Sequence, residues 1–358
     1  MTSVKFTSPA TLCAAASSPL LHFPTTHIGG RWCPFFILRM PTAVPELTLF
    51  EIGSVLWSCT IVFGLLFGLW WLLARRWHPR FAAADNAPAN SVQRAASSEL
   101  RDESTSGSDP GSLPRAFDLA TRADFCSRCN STIHCAIVVV GLAIAMPLVE
   151  YSYDFAPLSG DLRALQGLMA FSMAYFACDL LVVVGFCVPL WPVFAIHHVA
   201  AMVAIGSNLF QENCRRGSTL AIGLFLMVEI ATIPLNVYTY AGQLGFDDLG
   251  LFQSVSFYLS VVCWFFTRLV LPIFVDVVLF TRVVMPLAAA ERYCYIPGLT
   301  AALYLTLFCW VVFIGVFVPQ IVGRCRSAPS SAAGGVHTAT EPTAADDRPA
   351  FELSASTL

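Results

Sequence analysis

Long apolar runs separated by short polar breaks dominate the chain between residues 53 and 322. A membrane-spanning helix needs about 20 mostly apolar residues, and a backbone in hydrocarbon must satisfy its own hydrogen bonds, which rules out open strand edges. The pattern therefore predicts an all-α, multi-pass transmembrane helix bundle of about seven spans, at residues 53–74, 132–149, 167–188, 193–210, 218–240, 251–280 and 299–322.

The polar breaks indicate how the chain crosses the membrane. Pro189 and Pro192 separate the third span from the fourth, because two prolines so close together cannot continue a helix. Arginines are concentrated between the first two spans and recur directly after the last, so the positive-inside rule predicts that both segments are cytoplasmic. Seven spans then place the N-terminus on the other side. Four arginines do not follow the rule, namely Arg215, Arg216, Arg282 and Arg292.

Three segments lack the apolar pattern. Residues 1–50 form a low-complexity tail rich in Ser, Thr, Pro and Ala, whose composition suits a transit segment, a disordered tail or a mispredicted start equally well. Residues 76–121 and 327–358 are predicted to be a disordered linker and tail. This leaves a first transmembrane helix at 51–75 and a folded membrane domain at 122–326.

Composition supports a membrane protein and excludes some partners. The chain has 56% hydrophobic and 12% charged residues, whereas soluble domains carry about 25% charged residues. A net charge of −3 with scattered basic residues gives no signal for nucleic-acid binding. Cys126 and Cys129, followed by His134, are a nominal start of a zinc site, but one Cys-x-x-Cys without a second pair is a weak pattern, and we expect no metal.

Ionisable residues inside the predicted spans are the strongest functional signal, because each costs about 2.5 to 3.5 kcal/mol to insert. Asp179 lies mid-span, with Tyr175 and Ser172 on the same helix face one and two turns earlier. Glu229 begins a similar stripe that continues through Thr232, Asn236 and Tyr240. Each stripe predicts a face directed into the bundle.

The fourth and sixth spans add further polar groups. His197 and His198 are adjacent, so their side chains point about 100° apart and only one is expected to share a cavity with Asp179. Arg268 lies four residues before Pro272, which predicts a kink beside a charge. Asp276 lies two turns after Arg268 on the same helix face. Interhelical ion pairs would explain any one of these residues, but a shared polar cavity explains them together.

The order of these residues resembles the TLC domain, a family that includes ceramide synthases and translocation-chain-associated membrane proteins. The resemblance covers about residues 122–326 and is closest to the TLC domain-containing protein 4 group. Besides the in-span residues above, it rests on the motif residues Asn213, Arg215, Gly217 and Pro234. It implies an endoplasmic-reticulum or other endomembrane protein in which six helices form a barrel around a lipid-sized cavity and the first span is accessory.

The resemblance also frames the functional alternatives. In ceramide synthases, paired histidines corresponding to His197 and His198 serve acyl transfer from acyl-CoA to a sphingoid amine, and no further cofactor is needed. That signature also has paired aspartates downstream, whereas this chain has no aspartate between His198 and Asp247. We therefore expect a lipid-binding, lipid-transferring or membrane-regulating protein, with acyl transfer or an escort role for membrane proteins as alternatives. The expected cavity residues are Asp179, Tyr175, Glu229, Asn236 and Arg268, and the expected ligands are membrane lipids, a sphingolipid or acyl-CoA.

Overall fold

The computed structural model describes residues 27–28, 31–32, 44–77, 118–153, 155–211, 217–244, 250–287 and 292–327. Most of the tail at residues 1–50 lies outside these ranges, as do nearly all of the predicted linker and C-terminal tail, and Asn213, Arg215 and Asp247.

Seven helices in the described residues are long and apolar enough to cross a membrane, which confirms the all-α, multi-pass bundle. In chain order these spans are Leu49–Arg76, Leu119–Leu148, Arg163–Gly185, Trp191–Phe210, Ser218–Leu244, Gly250–Val284 and Tyr293–Arg326.

The first four spans are almost continuous α-helices, and the last three are segmented. The α-helices are α1 (Leu49–Trp77), α2 (Leu119–Ala145), α3 (Arg163–Gly185), α4 (Trp191–Phe210), α5 (Ser218–Leu226), α6 (Thr232–Leu244), α7 (Gly250–Trp264), α8 (Leu271–Val278), α9 (Ile296–Val312) and α10 (Val318–Ser327). Short 3₁₀ turns lie at Met146–Leu148, Met227–Ala231 and Tyr293–Tyr295. The antiparallel pairs His27–Ile28 with Arg31–Trp32, and Glu150–Tyr151 with Pro157–Ser159, complete the elements.

Helix α2 begins well before the apolar run that predicted it. Asp118 caps its N-terminus by accepting a hydrogen bond from the backbone N–H of Thr121 at 2.7 Å. The first turns carry polar side chains that are buried, including Asp124, Ser127 and Asn130. A hydropathy pattern misses these turns because their polar side chains face the inside of the bundle rather than lipid.

The sixth and seventh spans contain π-helical turns at Phe265–Val270, Leu279–Val284 and Phe313–Phe317. The first of these contains Arg268 and ends two residues before Pro272. Pro272 lacks a backbone N–H, so the wider turn accommodates the missing hydrogen bond at the place where the sequence predicts a kink. The other two π turns have the same signal, since each also ends two residues before a proline, at Pro286 and Pro319.

The first span is packed into the bundle. It contacts the second and third spans, and its Ile52 and Phe63 side chains are fully buried. The Phe63 carbonyl also accepts a hydrogen bond from Asn130 Nδ2 at 3.1 Å. The third span packs against the first, second and fourth spans, which places its Tyr175 and Asp179 at the centre of the molecule.

Candidate functional site

Two adjoining chambers occupy the interior of the bundle. The larger, the polar chamber, encloses about 1300 Å³ including its opening, and it lies toward the end of the bundle where the second span begins and the third span ends. The smaller, the apolar chamber, encloses about 930 Å³ and lies toward the opposite end. Phe176, His197, Glu229 and Arg268 line both chambers and so form the septum between them.

Asp179 is the centre of the first polar cluster in the polar chamber. Its Oδ2 lies 2.8 Å from His198 Nε2, and its Oδ1 accepts a hydrogen bond from Ser127 Oγ at 2.5 Å. The Tyr175 hydroxyl donates a longer bond of 3.4 Å to the same carboxylate. The carboxylate therefore joins the second, third and fourth spans and fixes the orientation of the His198 ring.

Glu229 and Arg268 form the second cluster, in the septum. Arg268 Nη2 lies 3.7 Å from Glu229 Oε1, and both side chains are buried. Thr232 Oγ1 connects them, because it accepts from Arg268 Nη2 at 2.6 Å and donates to Glu229 Oε2 at 2.9 Å. The guanidinium also lies 4.5 Å above the Trp264 ring, a cation–π contact that helps to offset its burial.

Both histidines of the pair line the polar chamber, whereas the helical angle between them predicts only one. Their ring centroids are 5.5 Å apart. The polar chamber extends around the start of α4, where Val193 and Phe194 also line it. The His197 and His198 rings point in different directions, and each of them still faces the chamber. His198 contacts Asp179, while His197 lies in the septum, where its Nδ1 is buried without a hydrogen-bond partner among the described residues.

Asn236 lies further along the polar chamber and holds the second span against the fifth. Its Nδ2 donates to Thr132 Oγ1 at 3.0 Å and to the Arg128 carbonyl at 3.3 Å. Tyr240 continues this stripe and pairs with Thr132 at 3.1 Å. Asp276 is placed elsewhere: it accepts from Thr306 Oγ1 at 2.7 Å and lines neither chamber.

Sequence reasoning missed the polar residues of the second span. Asp124 accepts from Arg128 Nε at 2.8 Å and from Gln243 Nε2 at 2.9 Å, and Ser127 reaches Asp179. The i, i+4 spacing of Asp124 and Arg128 was a usable signal, since it is typical of an ion pair on one helix face. Cys135 carried no such signal, yet its thiol donates to Glu229 Oε2 at 3.0 Å.

The arrangement combines two kinds of interior that an amphipathic molecule requires. The polar chamber has donors, acceptors and charges beside apolar side chains such as Val183 and Phe308, whereas the apolar chamber is lined mainly by aliphatic and aromatic side chains such as Ala201, Ile205 and Leu305. Among the described residues, the four septum residues are those that both chambers share.

Comparison with known proteins gives one match. Residues 124–322 match the TLC domain family. The matched region is more than half of the chain and includes all the residues that line either chamber. No curated protein and no solved structure matches the chain. The polar residues of the septum and the Asp179 cluster thus lie in the matched region, and the chain belongs to the TLC domain family.

Proposed function

We propose that the protein binds a membrane lipid across its two chambers and acts in lipid homeostasis by holding, transferring or regulating that lipid. The single observation that carries the proposal is the junction of a polar and an apolar chamber at His197, Glu229 and Arg268. A lipid placed across this junction would have its head group among hydrogen-bonding side chains and its chain among apolar ones. Ligand sites commonly combine an apolar wall with a few polar groups in this way.

The proposal also includes a subgroup within the family and a membrane compartment. We assign it to the TLC domain-containing protein 4 group and to the endoplasmic reticulum or another endomembrane. The disulfide-bonded state of Cys294 agrees with a membrane that has one oxidising face, such as that of the endoplasmic reticulum or the cell surface. Immunofluorescence with organelle markers tests the compartment.

Lipid mass spectrometry of the purified full-length protein tests lipid binding. Leu305 lines the apolar chamber, whereas Leu303 on the same helix is 52% exposed on the outer surface. Leu305→Trp fills the chamber and is expected to lower the co-purified lipid several-fold. Leu303→Trp makes the same chemical change outside the chamber and is expected to retain the wild-type amount.

Two outcomes contradict lipid binding in the chambers. One is a wild-type protein that carries no more lipid than an unrelated membrane protein purified in the same detergent. The other is equal lipid retention by Leu305→Trp and Leu303→Trp when both variants are folded.

Acyl transfer is the second candidate, and the Asp179–His198 contact favours it. General acid–base catalysis needs a positioned imidazole, and a carboxylate at about 2.6 to 3.2 Å orients it; the observed distance is 2.8 Å. In such a reaction the imidazole would take a proton from an amine as the amine nitrogen bonds to the acyl carbon. The thioester C–S bond would then break, and the imidazolium would return the proton to the sulfur, which releases coenzyme A as a thiol. This chain lacks the paired downstream aspartates, and Glu229 would take the place of one of them.

A further inference from the structure

His134, Cys135 and Glu229 bring three metal-ligating side chains together beside the polar chamber. One ligand atom from each residue lies within 4.8 Å of the other two. His134 and Cys135 are consecutive on the second span, and Glu229 comes from the 3₁₀ turn Met227–Ala231 in the fifth. All three side chains are buried, and His134 and Cys135 are completely so.

His134 is not explained by packing alone. Its ring stacks on Tyr175, with centroids 4.0 Å apart and an interplanar angle of 15°, and it meets Phe63 edge-on. Neither ring nitrogen has a hydrogen-bond partner among the described residues. Buried polar groups are almost always satisfied, and a phenyl ring would stack in this place without carrying two polar atoms. The imidazole therefore indicates a ligand for one of its nitrogens.

We propose that His134, Cys135 and Glu229 bind a zinc ion. Imidazole nitrogen, thiolate and carboxylate are donors that Zn²⁺ takes in proteins, and a thiolate disfavours Mg²⁺ and Ca²⁺. On binding, the Cys135 S–H bond breaks and its proton leaves through the polar chamber to water. Glu229 Oε2, which accepts the thiol hydrogen bond in this structure, then coordinates the ion instead.

The surroundings supply access and orientation. Glu229 and Ser131 line the polar chamber, and His134 and Cys135 are buried directly behind them, so the chamber is the side from which an ion and a fourth ligand would approach the site. Three protein ligands leave one coordination position for water or a bound molecule. Thr232 Oγ1 holds the Glu229 carboxylate at 2.9 Å, which is the orienting contact that metal-binding carboxylates usually have. The Arg268 guanidinium balances part of the negative charge of thiolate and carboxylate.

This site differs from the zinc motif suggested by the sequence. Among the described residues, the group that can hold an ion includes neither Cys126 nor Cys129. Cys126 is fully buried on the same helix, so Cys126→Ser is a matched control for Cys135→Ser. The proposal does not depend on lipid binding, because zinc content and lipid content are measured separately.

The test is zinc per protein, measured by inductively coupled plasma mass spectrometry on the full-length protein purified without a metal-affinity tag. We expect about one zinc per chain in the wild type and in Cys126→Ser. Cys135→Ser and His134→Phe are expected to weaken zinc binding at least about tenfold, since loss of an outer contact alone costs about 10- to 100-fold. After replacement of zinc by Co²⁺, the wild type is expected to show thiolate-to-cobalt charge-transfer absorption.

The cobalt measurement needs no variant and so does not depend on whether the variants fold. A wild-type protein without zinc above that of a mock purification, or without the charge-transfer absorption, overturns the proposal. So does a zinc content unchanged in folded Cys135→Ser and His134→Phe, or lowered equally in Cys126→Ser.

Discussion

His198 Nε2 lies 2.8 Å from Asp179 Oδ2, which connects the fourth span to the third inside the bundle. The same carboxylate accepts hydrogen bonds from Ser127 and Tyr175. One side chain thus has partners on three sides, and solvent competes little for it because Asp179 is only 7% exposed.

Asp179→Asn is expected to destabilise the protein by about 1 to 3 kcal/mol, because the amide keeps the shape but weakens the charge-assisted bonds of buried partners. Thermal unfolding in detergent measures the change. Asp161→Asn is the control, since Asp161 forms a half-exposed ion pair with Arg163 at 2.5 Å and such pairs contribute little. Equal shifts of the melting temperature in the two variants would contradict a structural role specific to Asp179.

Arg268→Leu is expected to lower the abundance of folded protein. It leaves the buried Glu229 carboxylate without its cation, and breaking a buried pair on one side costs about 3 to 5 kcal/mol. Adding Glu229→Gln should restore part of the loss, since the uncompensated charge is then removed. Arg282→Leu changes an exposed arginine on the same span and should leave abundance unchanged.

Fluorescence-detected size-exclusion chromatography measures these variants side by side. If the double variant is no more abundant than Arg268→Leu, the contribution of Arg268 lies in its contacts with Thr232 and Trp264 rather than in the ion pair.

His197→Ala and His198→Ala distinguish a lipid carrier from an acyltransferase. In a carrier, His197→Ala should weaken lipid retention gradually, because His197 lines both chambers. In an acyltransferase, removal of the working imidazole should abolish one acylated lipid, since acid–base catalysis contributes about 10²- to 10⁴-fold. Lipid profiling of cells that express each variant is the measurement. Loss of one acylated lipid, at normal protein level and normal lipid retention, would reject the carrier and establish the enzyme.

Protease accessibility of inserted tags tests the topology. Six spans lie between the linker after Arg76 and the segment after Arg326, so tags in both should be cleaved from the cytoplasmic side. A tag at the turn before Gly160, between the second and third spans, should be protected in sealed vesicles. Cleavage of the linker tag but protection of the C-terminal tag would mean that an odd number of these helices crosses the membrane.

The sequence by itself determined the number of spans and their approximate places, because length and apolarity are local properties that a bilayer selects directly. It missed the first turns of the second span, whose polar side chains are buried inside the bundle. It also determined that Asp179 and Glu229 begin or continue polar stripes, since helical spacing fixes which residues share a face. Burying a charge in hydrocarbon is costly, and for that reason an ionisable residue within an apolar run indicates a buried partner or a function from the sequence alone.

Only the tertiary structure decided which residues meet. Cys135 and Glu229 are 94 residues apart in sequence and Ser127 and Asp179 are 52 apart, so no periodicity links them. The reach of the polar chamber to both histidines and the position of His134 beside Tyr175 depend on how neighbouring spans pack. Packing between distant segments sets these contacts, and for that reason the sequence predicted a polar interior but not its two chambers.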